Sequence, residues 1–176
     1  EGDIDPLEHH TLVLPTDWDG HFDRIFDDPG WPEDPAYYVC APSVTDDSVA
    51  PAGHSNLFVL VPIAPGLEDT DAIRQQYRDD VLADLAENTG VDLRDRIVFE
   101  ERFAVNDFAD RYNAFRGNAL GGIAHTLRQT SLLRPSHRSS AVEGLYFTGG
   151  YTTPGIGVPM CLISGEHTAA ALVEDC

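Results

Sequence analysis

The chain has 176 residues, 42% of them apolar, and thirty Asp and Glu face eleven basic residues for a net charge of −19. That length allows one hydrophobic core or a share of a larger two-lobed protein, and the charge repels nucleic acid. No apolar run approaches the roughly 18 residues of a membrane-spanning helix. In chain order, His9 to Leu14 reads as a strand stopped by Pro15, and Thr16 or Asp17 caps a short helix with Trp18, Phe22, Ile25 and Phe26 on one side. Tyr37 to Ala41 and Asn56 to Ile63 read as further strands, each stopped by proline. The clearest helix runs from Thr70 to Asn88, with Ile73, Tyr77, Val81 and Leu85 every four residues and Gly90 placed to end it. Ile97 to Val105 alternates like a strand, Asn106 can cap a helix over 107–115, and Arg116 to Ala141 is loop-like. Leu145 to Thr148 reads as a buried strand, followed by a glycine- and proline-rich loop and an apolar helix starting near Met160. Strands and helices intermingle, so the fold class is mixed α/β.

All eleven bases are Arg, and acids such as Asp17, Asp19, Asp23, Asp79, Asp80 and Asp84 are scattered through foldable segments rather than gathered in a tail. This points to a cytoplasm of very high salt, where carboxylates keep a surface hydrated and repulsion is screened within ~3 Å at 1 M. Thermal melts should therefore move clearly upward between dilute buffer and molar KCl. A flat response would make the acidity incidental. Cys40, Cys161 and Cys176 are odd in number and widely spaced, which fits a reducing compartment rather than a disulfide framework. The opening Glu1-Gly2-Asp3 has no Met and no signal-peptide pattern, and is read as the start of a mature or excised fragment.

Chemistry-bearing motifs are few. Gly155-Ile156-Gly157 begins like G-x-G-x-x-G, but Met160 holds the third position and no acid follows about twenty residues on. The loop is still suited to close backbone approach, because its glycines lack Cβ and the following helix offers free N–H groups. Local chemistry leaves open whether it holds a large ligand or merely packs. The seven histidines lack H-x-x-x-H and H-E-x-x-H spacing, so no metal ligands are assigned. His9 and His10 are expected on opposite faces of a strand, one in the core and one exposed. Ser164 lies outside any G-x-S-x-G elbow. The apolar strand Leu57 to Ile63 and Phe99, Phe103, Phe108 and Phe115 read as core, with an apolar channel lining as the alternative.

Two long stretches carry a resemblance. Leu145-Tyr146-Phe147-Thr148-Gly149-Gly150 with Thr153-Pro154-Gly155-Ile156-Gly157-Val158-Pro159 resembles the C-terminal signature of bacterial-type phytoene desaturases. These are FAD-dependent carotenoid desaturases of the amine-oxidase-like flavoprotein superfamily. Asp34 to Ser43 and Thr45 to Gly53 resemble a second block of that family, and Leu57 to Pro65 its following strand. The resemblance covers nearly the whole chain. It implies the C-terminal part of a two-lobe flavoprotein, with 1–143 in the substrate-binding lobe and 144–176 returning to the Rossmann-like FAD lobe. It also implies FAD as cofactor, held in part by Gly149, Gly150, Gly157, Val158, Pro159 and Met160, with catalytic residues unassigned. The implied partners are a long apolar polyene and the absent N-terminal part of the same flavoprotein. The implied location is cytoplasmic, with peripheral membrane contact for substrate access. Thr153, Ile156, Tyr151, Gly150 and Met160 depart from the family pattern, which opens the substrate to carotenoid isomerase, retinoid saturase, and amine or porphyrinogen oxidase alternatives. An acidic, non-enzymatic binding module is the alternative from another class.

Overall fold

The computed structural model describes residues 4–119 and 134–176. Most of the loop expected from Arg116 to Ala141 therefore lies outside the described residues, as does the opening Glu1-Gly2-Asp3. The chain divides into two units, Glu1–Asn106 and Asp107–Cys176.

The first unit is a three-stranded antiparallel sheet, β1 (His10–Val13), β2 (Tyr37–Cys40) and β3 (Phe58–Leu60), in the order β1-β2-β3. Between β1 and β2 lies helix α1 (Trp18–Phe26), and after β3 comes α2 (Asp71–Thr89). Asp17 rather than Thr16 caps α1, its carboxylate accepting the Gly20 N–H at 3.0 Å. Thr16 is engaged elsewhere, donating through both N–H and hydroxyl to Asp34. Helix α2 keeps its expected limits. The Thr70 hydroxyl accepts the Ile73 N–H, and Gly90 ends the helix in the left-handed region at φ 77°.

The sheet separates its faces by strand alternation. Tyr37 and Val39 point inward and pack with Val81, Leu82 and Leu85 of α2 and with Ile4, Leu7, Val91 and Leu93. Burying each such aliphatic contributes about 1.5–3 kcal/mol, so this cluster holds the unit together. The Tyr37 hydroxyl donates to Asp84 at 2.6 Å, and burial first, then that carboxylate, pushes its pKa upward. On the opposite face the register sets His10 beside Cys40 and Phe58, and Leu12 beside Tyr38 and Leu60. There Leu12 is 67% exposed, Phe58 55% and Leu60 46%. An apolar face of this kind is uncovered among the described residues.

The apolar side of α1 is open: Trp18, Phe22 and Phe26 are stacked but exposed, and His21 is its buried residue. Several expectations need correction. Residues 97–104 form no strand, because Val98 and Phe99 face solvent while Glu100 is drawn to Arg78 at 2.8 Å. Phe99, Phe103 and Phe115, like Phe58 and Leu60 of β3, are surface residues, not core. Helix α3 (Val105–Tyr112) starts before Asn106, which uses its side chain to donate to the Asp69 carbonyl instead of capping.

In the second unit the dominant element is α4 (Val158–Asp175), which begins two residues before Met160. Leu145 to Thr148 is extended but not a buried strand. A bridge between Arg138 and Tyr146 is its recorded pairing, and Leu145 and Phe147 are more than 40% exposed. The Ser139 N–H donates to the Leu145 carbonyl and the Phe147 N–H to the His137 carbonyl, but a buried strand also needs covered faces, which the described residues do not supply. Arg138 donates to Asp175, Glu174 and the Ala171 carbonyl, placing a cation at the negative end of α4. Within the segment read as loop-like, Arg138 is thus structural.

Candidate functional site: a glycine-framed helix terminus

The loop 149–157 and the first turn of α4 carry all six residues anticipated to hold a cofactor. Their local conformation follows from residue type. Gly149 and Gly157 have φ of 101° and 119°, a region that L side chains rarely adopt. Gly157 is the N-cap of α4 and so offers no capping side chain. Pro159 has no N–H, leaving those of Val158 and Met160 ahead of the first intrahelical bond, from Cys161 N–H to the Gly157 carbonyl at 2.9 Å. The first turn contains no acid, in a chain with thirty. Val158 and Pro159 are exposed and Met160 is half-buried.

A polar hub beneath the loop fixes it to the helix. Ser164 is fully buried on α4, and its hydroxyl oxygen accepts the Gly149 N–H at 2.9 Å. The buried Thr152 hydroxyl lies 2.6 Å from the same oxygen and donates to the Gly149 carbonyl at 3.0 Å. Arg134 donates to the Gly150 carbonyl at 2.6 Å. His137 bridges Thr153 and Thr168, at 3.1 and 2.9 Å from its two ring nitrogens. Sequence reasoning dismissed Ser164 as a nucleophile and did not assign it this anchoring part. The signal was present, since Ser164 stands two turns into a helix whose N-terminus follows a glycine loop.

The arrangement brings together a helix dipole's positive end, free backbone donors and a nearby guanidinium. It fits the electron-rich edge of a large cofactor, and the missing Cβ atoms leave its approach open. By contrast, a cleft of about 390 Å³ in the first unit is lined by Glu33, Asp80 and Asp84 beside Trp31 and Tyr77. Those acids suit neither an anion nor a hydrocarbon. No helix among the described residues is long and apolar enough to cross a membrane.

Comparison with known proteins bears on this geometry. Residues 12–173 match the family model described as flavin containing amine oxidoreductase. The chain is 78% identical over 175 residues to the carotenoid 3,4-desaturase of Haloarcula japonica, covering 99% of this chain and 35% of that protein. It is 38% identical over 177 residues to the all-trans-zeta-carotene desaturase of Myxococcus xanthus, covering 96% and 32%. It is 34% identical over 174 residues to the lycopene-forming phytoene desaturase of Pantoea ananas, covering 97% and 35%. The chain thus spans about a third of the length of the curated relatives it matches. The acidic, lysine-free composition is in keeping with the Haloarcula relative.

Proposed function

Since the chain belongs to the flavin containing amine oxidoreductase family, we propose that the protein containing it is an FAD-dependent carotenoid desaturase. The observation that carries this reading is the uncapped, acid-free N-terminus of α4, framed by Gly149 and Gly157, in a chain 78% identical to a carotenoid 3,4-desaturase. When bound, FAD supplies the acceptor for a hydride from a carbon chain that has no ionisable group.

The chain's own residues do the positioning. Val158 and Met160 offer N–H donors to the cofactor, and Gly149 and Gly150 let it approach the backbone. Ser164 and Thr152 hold the loop in shape, and Arg134 adds positive charge at Gly150. The outward face of the sheet, with Leu12, Phe58 and Leu60, gives a polyene an apolar wall. Residues 1–143 then belong to a substrate lobe, and 144–176 complete an FAD lobe whose pyrophosphate turn is supplied by sequence outside this chain. The polyene is lipid-soluble, so it reaches a cytoplasmic protein by peripheral contact with a membrane.

Two measurements test this. The full-length protein, reconstituted with FAD and a carotenoid precursor, should yield a product lighter by two hydrogens per step. An isomer of unchanged mass would replace desaturation with isomerisation. The 176 residues alone should bind FAD weakly, and tight stoichiometric binding in isothermal titration would overturn the division of the FAD lobe.

A further inference from the structure

Adjacent histidines in an extended chain ordinarily point to opposite faces. Here they do not: His9 precedes the first ladder residue of β1, and its ring centroid lies 4.3 Å from that of His10. Cys40 is the direct cross-strand partner of His10. One ligand atom from each of His9, His10 and Cys40 falls within 4.8 Å of the others.

Each histidine has a hydroxyl beside its Nδ1. His9 Nδ1 is 2.6 Å from the Thr45 hydroxyl, whose own proton is directed to the Pro42 carbonyl. The imidazole must then donate from Nδ1, leaving the lone pair on Nε2. His10 Nδ1 is 2.6 Å from the Tyr38 hydroxyl. An imidazole that donates Nδ1–H to that hydroxyl presents its lone pair on Nε2. A hydrogen-bond partner on the other ring nitrogen fixes the tautomer and orientation of a ligating histidine.

We propose that His9, His10 and Cys40 form a binding site for a borderline-soft divalent transition-metal ion, zinc being the ion of choice. Two imidazoles and a thiolate select zinc over magnesium or calcium, which the acidic surface attracts only through oxygen. Zn–N bonds of about 2.0–2.1 Å and a Zn–S bond of about 2.3 Å place tetrahedral ligands roughly 3.5 Å apart, within side-chain rotation of the present spacing. Binding forms the metal–sulfur bond, releases the Cys40 thiol proton to solvent and leaves the fourth position to water. Neither the flavin nor the proposed desaturation enters this assignment. It departs from the sequence reading, which lacked the cross-strand register that brings Cys40 to the histidines.

The test uses the full-length protein, stripped with chelator in molar KCl and titrated with Co²⁺ as a spectroscopic probe. One equivalent should produce a thiolate-to-cobalt charge-transfer band in the difference spectrum. Cys40→Ser should abolish the band, Cys161→Ser should keep it, and Thr45→Val should weaken the site about tenfold, as loss of an outer-shell partner does. A readout in the unmutated protein stands beside these: saturating Zn²⁺ should protect Cys40 from alkylation, scored by peptide mass. Cobalt binding without a sulfur band, a band that survives Cys40→Ser, or unprotected Cys40 at saturating zinc would each overturn the site.

Discussion

Asp69→Ala is expected to destabilise the first unit by about 3 kcal/mol, the low end of what breaking a buried ion pair costs. Asp69 lies just ahead of α2 with a fully buried side chain, and it receives two parallel hydrogen bonds from Arg74 at 2.6 and 2.7 Å. The same carboxylate accepts the Asn106 N–H at 2.7 Å, so one side chain ties the start of α2 to the start of α3. The cost stays at the low end because the Arg74 side chain is 16% exposed and keeps some access to water. For a unit of this size the melting midpoint should fall by more than about 10 °C. Asp28→Ala supplies the contrast, since its pair with Arg24 is largely solvated and should leave the midpoint unchanged. Equal effects from the two substitutions would show that burial does not decide the worth of Asp69.

The same site fixes the sign of a pH dependence. Burial opposes ionisation of Asp69, but the Arg74 and Asn106 hydrogen bonds and the Arg74 charge outweigh it, so the pKa lies below the usual carboxylate value. A depressed folded-state pKa means the unfolded chain binds protons more readily. The stabilisation is therefore complete above the unfolded value of about 3.9 and is lost as pH falls through the lower folded value. Acid titration of Asp69→Ala should show a shallower loss of stability below pH ~4 than the unmutated protein shows.

How much of this was visible in the sequence depends on where the decisive contacts come from. Helix α2 announces itself locally, because Thr70, the four-residue apolar spacing and Gly90 all act within the helix. The glycine loop and the helix after it were legible for the same reason. Leu145 to Thr148 was misread as buried because an apolar extended segment says nothing of who pairs with it, and its exposure follows from its neighbours. Trp18, Phe22 and Phe26 mark an amphipathic helix, yet periodicity cannot tell a face packed on a core from one left open. Ile97 to Val105 shows a pattern overridden by distant partners, Arg78 at Glu100 and Asp69 at Asn106. The pairing of His10 with Cys40 is likewise a long-range fact of register. At the candidate site, the backbone was read from glycine and proline alone, whereas Ser164, Thr152 and Arg134 became meaningful only when the loop was folded onto α4.

In the full-length protein, Gly157→Val is expected to weaken flavin binding between about fivefold and 150-fold without unfolding the first unit. Gly157 holds φ 119° and ψ 152° as N-cap of α4, a conformation that costs an L residue about 1–3 kcal/mol, which is that range in affinity. Space is not the obstacle within this chain, for a Cβ there would meet Met160 Cγ only at 4.0 Å. The cost arises instead from the backbone, which must rotate toward an allowed region and so turn the Val158 and Met160 N–H groups from their present direction. β-Branching makes Val stiffer than Ala in the same place, so Gly157→Ala should fall between Val and the unmutated protein. Ser140→Ala, in an exposed turn, is the control; Arg138 is unsuitable because it holds the end of α4. Flavin absorbance per protein is read beside circular dichroism and again after adding excess FAD. Recovery with excess FAD identifies an affinity effect, while failure to recover with altered dichroism identifies loss of the α4 unit. A normally folded Gly157→Val protein with full flavin content would reduce this loop to a reversal of the chain.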